Sequence, residues 1–164
     1  MKPSTTTLAL DPGLRDLGFA VLSGQRLLAS GVRPLRLLPK ARRHEEARRL
    51  VYGWIRAYRP DTLVIEATHG HSVSGFSALD RLARSARRVA VRHRVAVASY
   101  APQTVRKALV GNGWATKKEA AIATCHRFPT LRVYLTQDRK WKERYFLNMF
   151  DAVALAIYHQ THTA

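Results

Sequence analysis

Three carboxylates stand where apolar sequence ends or surrounds them. Asp11 closes the run Leu8-Ala9-Leu10, Glu66 closes Leu63-Val64-Ile65, and Asp151 follows Asn148-Met149-Phe150 and precedes the apolar stretch from Ala152 to Ile157. A carboxylate in such company needs a hydrogen-bond donor, a cation or a metal ion. Acids are scarce here, eleven Asp and Glu against 28 Lys and Arg, for a formal net charge of +17. Singly, each has a plainer reading. Asp11 before Pro12-Gly13 shapes a turn, Glu66 pairs with one of many arginines, and Asp151 is a helix-surface charge. Jointly, acids converging from separate elements of a basic chain predict a divalent metal site that works on phosphate.

The elements that must bring them together are legible in outline. Residues 6–11 read as a first strand ended by Pro12-Gly13. Residues 18–22 and 26–31, joined across Ser23-Gly24, predict an antiparallel hairpin continuing from it. Ala47, Leu50, Val51, Trp54, Ile55 and Tyr58 fall at helical spacing over 42–58, ended by Arg59-Pro60-Asp61. Residues 62–66 form a continuous apolar run, as in a strand covered on both faces. A Gly, His and Ser loop over 68–75 leads to a helix over 76–92. Residues 95–98 read as another buried strand. Helices follow over 102–110 and 117–127, separated by Gly111-Asn112-Gly113, and a last helix over about 144–159. Residues 129–143 show no period and read as a mobile basic loop. Strands followed by crossover helices predict an α/β sheet that opens with a meander. Acids at the ends of two strands can meet outside the sheet, and one face of the last helix can carry Asp151 there, with Asn148 three residues earlier on the same face.

With 164 residues, 46% of them apolar, the chain suits one domain with a real core. Its charge predicts a polyanionic partner, nucleic acid before an anionic membrane. The basic residues lie inside periodic segments, so a folded surface carries them. The single cysteine, Cys125, excludes an internal disulfide and sits on the apolar side of a helix. No Cys or His spacing suits zinc. No secretory leader is legible, and no apolar run approaches the roughly 18 residues that cross a bilayer, so a cytoplasmic, nucleoid-associated protein is expected.

The blocks LALDPGLRDLGFAVL, LVIEATH, YAPQTVRKALVGNGWATKKEAA and NMFDAVALAI together resemble RuvC-type Holliday junction resolvases of the RNase H-like superfamily. The first and last suggest only the superfamily, and the third is particular to resolvases. The resemblance implies a single RNase H-like domain over 1–164, with a mixed five-stranded sheet opening on an antiparallel meander and flanked by helices. It implies a catalytic, metal-binding set of Asp11, Glu66, Asp151 and Asn148 for two Mg2+ or Mn2+ ions. Asn148 stands where the family usually has an acid or a histidine, so one negative charge is missing; an amide oxygen still ligates either ion. The chemistry implied is hydrolysis of a DNA phosphodiester by in-line attack of water. Two ions about 4 Å apart assist it, and no covalent enzyme intermediate forms.

For nucleic acid, the resemblance points to Arg106 and Lys117 near the active site, with Lys107 and Lys118 beside them. Asn112 lies in a turn whose backbone N–H groups can approach a phosphate, and the same turn also reads as a plain helix connector. Lys117 and Lys118 open a helix, an unfavourable place for positive charge unless it attracts phosphate. His69 matches the position of an aromatic wedge, with His71 and Phe76 nearby, and is expected to stack on a base or meet a phosphate; the other readings are that His69 and His71 join the metal site or only decorate a loop. The 76–92 helix implies a homodimer that sets two sites on a four-way junction, although its apolar side could equally be core. A branch-migration partner is not legible. Two other functions fit the same residues: an RNase H-like nuclease acting on RNA, as proposed for YqgF-type proteins, and a branched-DNA-binding module with weak or lost catalysis.

Overall fold

A computed structural model describes residues 5–68 and 77–163. Five strands form one mixed sheet: β1 (Thr6–Asp11), β2 (Asp16–Ser23), β3 (Arg26–Pro34), β4 (Thr62–Glu66) and β5 (Ala96–Tyr100), in the order β3-β2-β1-β4-β5. The first three pair antiparallel, as the short Ser23-Gly24 connection requires, while β4 joins β1 and β5 joins β4 in parallel. The α/β sheet opening with a meander is therefore present. Its parallel strands are linked through α1 (Arg43–Tyr58) and α2 (Ala78–Arg92), as parallel pairing demands.

Register decides where the first two acids go. Leu10 lies opposite Ile65 across the parallel β1–β4 pair. Asp11 and Glu66, one residue further along each strand, thus leave the sheet side by side at the same end. Alternation puts both on the face that Ala9 and Val64 also occupy, whereas Leu8, Leu10, Leu63 and Ile65 face the other way.

Each face is covered. On one side α1 and α2 pack with Val51, Trp54, Ile55, Leu82, Ala83, Ala86 and Ala90 against the sheet. Phe19 stacks on Trp54 there, with ring centroids 4.2 Å apart. On the other side α5 (Lys140–Thr163) crosses the sheet, flanked by α3 (Pro102–Val110) and α4 (Lys117–Arg127). Cys125 is buried in this second layer. Gly18 of β2 lets α5 come close, because a Cβ there would overlap the backbone carbonyl of Asn148. The helix is tied down at two points. Asn148 Nδ2 donates to the Asp16 carbonyl at 3.0 Å, and Gln160 Nε2 donates to the carbonyls of Thr5 and Leu22, each at 3.0 Å.

Several expectations are corrected. The strand expected to be buried over 95–98 is β5, half-exposed at the edge of the sheet; small residues that pack on one face had read as a fully covered run. Residues 129–143 are not a featureless loop: Pro129–Tyr134 forms a 3-10 helix with Leu131 buried, and α5 already starts at Lys140. The 3-10 period of three is poorly separated from irregular sequence, and α5 is longer than the expected 144–159 because its first turns are charged. The helix expected from 76 begins at Ala78, where Ser77 and Asp80 form a reciprocal cap. Of the two readings open for the apolar side of α2, dimer contact or core, Leu82, Ala83 and Ala86 take the second.

Candidate active site

The three acids do come together. Asp11 and Asp151 are buried, at 6% and 5% exposure, and Glu66 is half-buried beside them. Burial, followed by the charges of Glu66 and Asp151, holds the Asp11 carboxyl well above the ordinary carboxylate range, against the opposing pull of Lys117 and Arg106. Glu66 is likewise pushed up to about 7, by burial and then by Asp151, with the same two cations opposing. Both shifts have one physical source: negative charge concentrated where water cannot screen it.

Lys117 is the resident counter-charge. Its Nζ lies 2.5 Å from Asp151 Oδ2 and 3.9 Å from Asp11 Oδ2. Desolvation lowers its pKa, but Asp151, Asp11 and Glu66 together outweigh that and leave it raised above the usual lysine value. Local sequence explains the placement. Thr116 caps α4 by accepting from the Glu119 N–H at 3.2 Å, and Glu119 returns a bond to the Thr116 N–H at 2.6 Å. This capping box, of the kind whose loss costs about 1 kcal/mol, fixes the helix start so that its first residue projects at the acids. Positive charge at a helix start is unfavourable, and here the acids compensate it.

The donor set suits a hard divalent ion. Three carboxylates converge on one lysine: Asp151 Oδ2 meets its ammonium, whereas the buried Asp11 Oδ2 has no hydrogen-bond partner, so the pocket calls for a further cation or a proton. The side chains are nonetheless arranged around Lys117: among the described residues no group of three His, Cys, Asp or Glu stands ready to grip an ion. Asn148, on the same helix as Asp151, also has a structural role. Its amide N–H is engaged with Asp16, making it a strut that fixes α5 against β2, a use that a carboxylate at 148 could not serve.

Of the residues expected to meet nucleic acid, Arg106 and Lys117 reach the acid cluster electrostatically, while Lys107 and Lys118 are exposed. The Gly111 turn proves to be a helix terminator. Gly111 adopts φ 83° and its N–H bonds to the Lys107 carbonyl at 2.9 Å. Asn112 Oδ1 accepts from the Trp114 N–H at 2.9 Å, so this side chain shapes the turn. His69, His71 and Phe76 lie outside the described residues. Sequence reasoning overlooked Trp114, 86% exposed two residues before a helix cap. A large aromatic between Gly113 and Ala115, in a loop rather than on an apolar stripe, was the signal available.

Comparison with known proteins gives consistent answers. Residues 7–159 match the family described as crossover junction endodeoxyribonuclease RuvC. The chain is similar to the protein of that name from Bacteroides fragilis, 34% identical over 122 residues that cover 70% of this chain but only 64% of that relative. The one from Maricaulis maris is 31% identical over 168 residues, covering 99% of this chain and 94% of its own length. The fold superposes on the Thermus thermophilus RuvC structure with TM-score 0.73 and 22% identity, covering 97% of this chain and 95% of that one. A second Thermus structure, described as RuvC in complex with Holliday junction substrate, gives 0.74 at 20% identity, covering 97% and 94%. The chain belongs to the RuvC family of crossover junction endodeoxyribonucleases.

Proposed function

We propose that this chain is a Mg2+- or Mn2+-dependent endonuclease that binds branched DNA, four-way junctions above all, and nicks it by hydrolysis of a phosphodiester in recombination and repair. The observation that carries the reading is the buried cluster of Asp11, Glu66 and Asp151, held against a single lysine and with two raised carboxyl pKa values, inside a chain of net charge +17. Family membership supports the reaction class. A relative of the same fold was solved with a Holliday junction substrate, which supports the choice of branched DNA.

In this reading Asp11, Glu66 and Asp151 hold the ions, with the Asn148 amide oxygen as a neutral fourth ligand. Divalent ions bound there supply water activation and charge neutralisation at the scissile phosphate. The chain's own residues do the rest. Arg106 and Lys117 draw the phosphate toward the acids, where the Lys117 ammonium would meet a phosphate oxygen. Asn148 keeps α5, and with it Asp151, in position against β2. Lys107 and Lys118 add sequence-independent attraction to the backbone.

We read the chain as one domain over 1–164, as a homodimer in the region of 76–92, and as acting in the cytoplasm at the nucleoid. The inward side of α2 is already used in the core, so a dimer contact there falls to its outer side, where Val91 is 68% exposed. No described helix is long and apolar enough to cross a membrane. The test compares cleavage of a four-way junction, a flap, linear duplex and single-stranded RNA in Mg2+ and Mn2+, with mass measured alone and on the junction. Symmetric paired nicks confined to the junction, made by a dimer, are expected. Preferred RNA cleavage would overturn the substrate, and Ca2+-supported binding with no cutting in either metal would leave a binding module.

A further inference from the structure

Trp114 is the most exposed large apolar side chain among the described residues, at 86%. An indole left in water forgoes burial of the 150–250 Å2 that aromatic side chains usually hide, roughly. Its backbone, by contrast, is firmly held. The Trp114 N–H donates to Asn112 Oδ1 at 2.9 Å, and the next N–H, of Ala115, donates to the Asn112 carbonyl at 3.1 Å. Ala115 is buried at 2%, and Gly113 is packed so tightly that a Cβ would come 3.1 Å from the Gln103 carbonyl. A fixed backbone with a solvent-facing indole is a presented side chain, not a loose one.

Its place in the fold gives the presentation a direction. Gln103 is in the first turn of α3, which springs from the end of β5, where Tyr100 lies opposite Glu66. On the other side, Trp114 is three residues before Lys117, whose ammonium reaches Asp151 and Asp11. The turn is therefore anchored on both sides to elements that end at the acid cluster. Its charged neighbours Arg106, Lys107, Lys117 and Lys118 are all cationic, and Glu119 is engaged in the α4 cap. A flat aromatic set among cations next to a phosphate-directed site matches the chemistry that stacks an unpaired nucleobase while the cations hold its backbone. A protein partner's apolar surface would sit poorly against so many cations.

We propose that Trp114 is a stacking platform for an unstacked nucleobase of the branched DNA, positioning the strand beside the acid cluster. Stacking is available to any base, so it contributes affinity for opened structure with little sequence preference. The inference rests on the proposed function.

The test uses the full chain in Ca2+, with four-way junctions carrying 2-aminopurine at successive positions flanking the crossover. Trp114→Ala is expected to weaken junction binding about 5- to 100-fold and to leave linear duplex binding unchanged. It should also abolish a 2-aminopurine quench seen at one position with the unaltered chain. Trp114→Phe should retain both the quench and most of the affinity. Junction affinity and quenching both untouched in Trp114→Ala would overturn the stacking role alone. So would a change in oligomeric mass with no change in DNA binding, which would assign the indole to a protein contact. Failure of the unaltered chain to prefer the junction over duplex would instead remove the nuclease reading, and this inference with it.

Discussion

The two faces of the sheet are built from the same strands and each is covered by helices, yet they carry different chemistry. On the α1–α2 side the buried side chains are apolar throughout, from Leu8 and Leu10 to Leu82 and Ala90. On the α5 side the buried layer contains Asp11 and Asp151, Thr7 bound by Gln160, Thr124 bound to the Ala120 carbonyl, and His159 bound to Tyr100 at 2.9 Å. Every buried polar residue among those described lies on that side. One layer supplies cohesion, and the other uses it to hold groups that would not fold together unaided, since clustered buried charge opposes folding. The separation follows from strand alternation: a single residue step between Leu10 and Asp11 changes the layer.

This contrast can be broken deliberately. The largest effect is expected from Asp11→Asn, which should lower nicking rates by about 1,000-fold or more, since each 1.4 kcal/mol is tenfold and the ion site loses several. Binding to the junction should survive, and stability in urea should hold or rise because a buried charge is gone. On the opposite face, Leu82→Ala should cost about 2–5 kcal/mol by urea unfolding through the cavity it leaves, without altering how Mg2+ shifts the transition.

Glycines sharpen the comparison. Gly18→Ala should destabilise by about 1–3 kcal/mol and depress cleavage, because α5 must retreat from β2 and carries Asn148 and Asp151 with it. Gly53→Ala, in α1 with nothing near its Cβ position, should instead stabilise by about 0.5–1 kcal/mol. Equal effects from the two would mean that α5 does not sit against the sheet as described.

A smaller effect concerns pH. In the metal-free chain the Glu66 pKa is about 7 against an ordinary 4.5, and Asp11 is raised as well. Between those values the folded state holds protons that the unfolded state has released, so stability is present at low pH and falls as pH rises through about 7. Thermal unfolding at pH 5.5 and pH 8 should show the loss, and Mg2+ should reverse it mainly at pH 8. A metal-free chain more stable at pH 8 would contradict the burial and mutual repulsion of the acids.

Much of this arrangement was legible in the residues. Apolar runs ending in an acid located β1, β4 and two of the three carboxylates, because a strand covered on both faces leaves few other readings for Leu8-Ala9-Leu10-Asp11. Contacts between distant segments were not legible. Nothing local shows that Lys117 enters the acid pocket, since its partner is set by the cap of α4 and the path of α5 together. Nor was it legible that the Asn148 N–H donates to a carbonyl 132 positions away. β5 read as buried because sequence alone does not say which parallel strand ends a sheet.

The most direct measurement is Mn2+ binding to the unaltered chain without DNA, followed by the loss of the free-ion electron paramagnetic resonance signal at pH 8, beside Asp11→Asn. Saturable uptake by the unaltered chain, abolished or greatly weakened in the variant, is expected if Asp11, Glu66 and Asp151 form one cation site. Uptake that is absent, or identical in the two proteins, would contradict it.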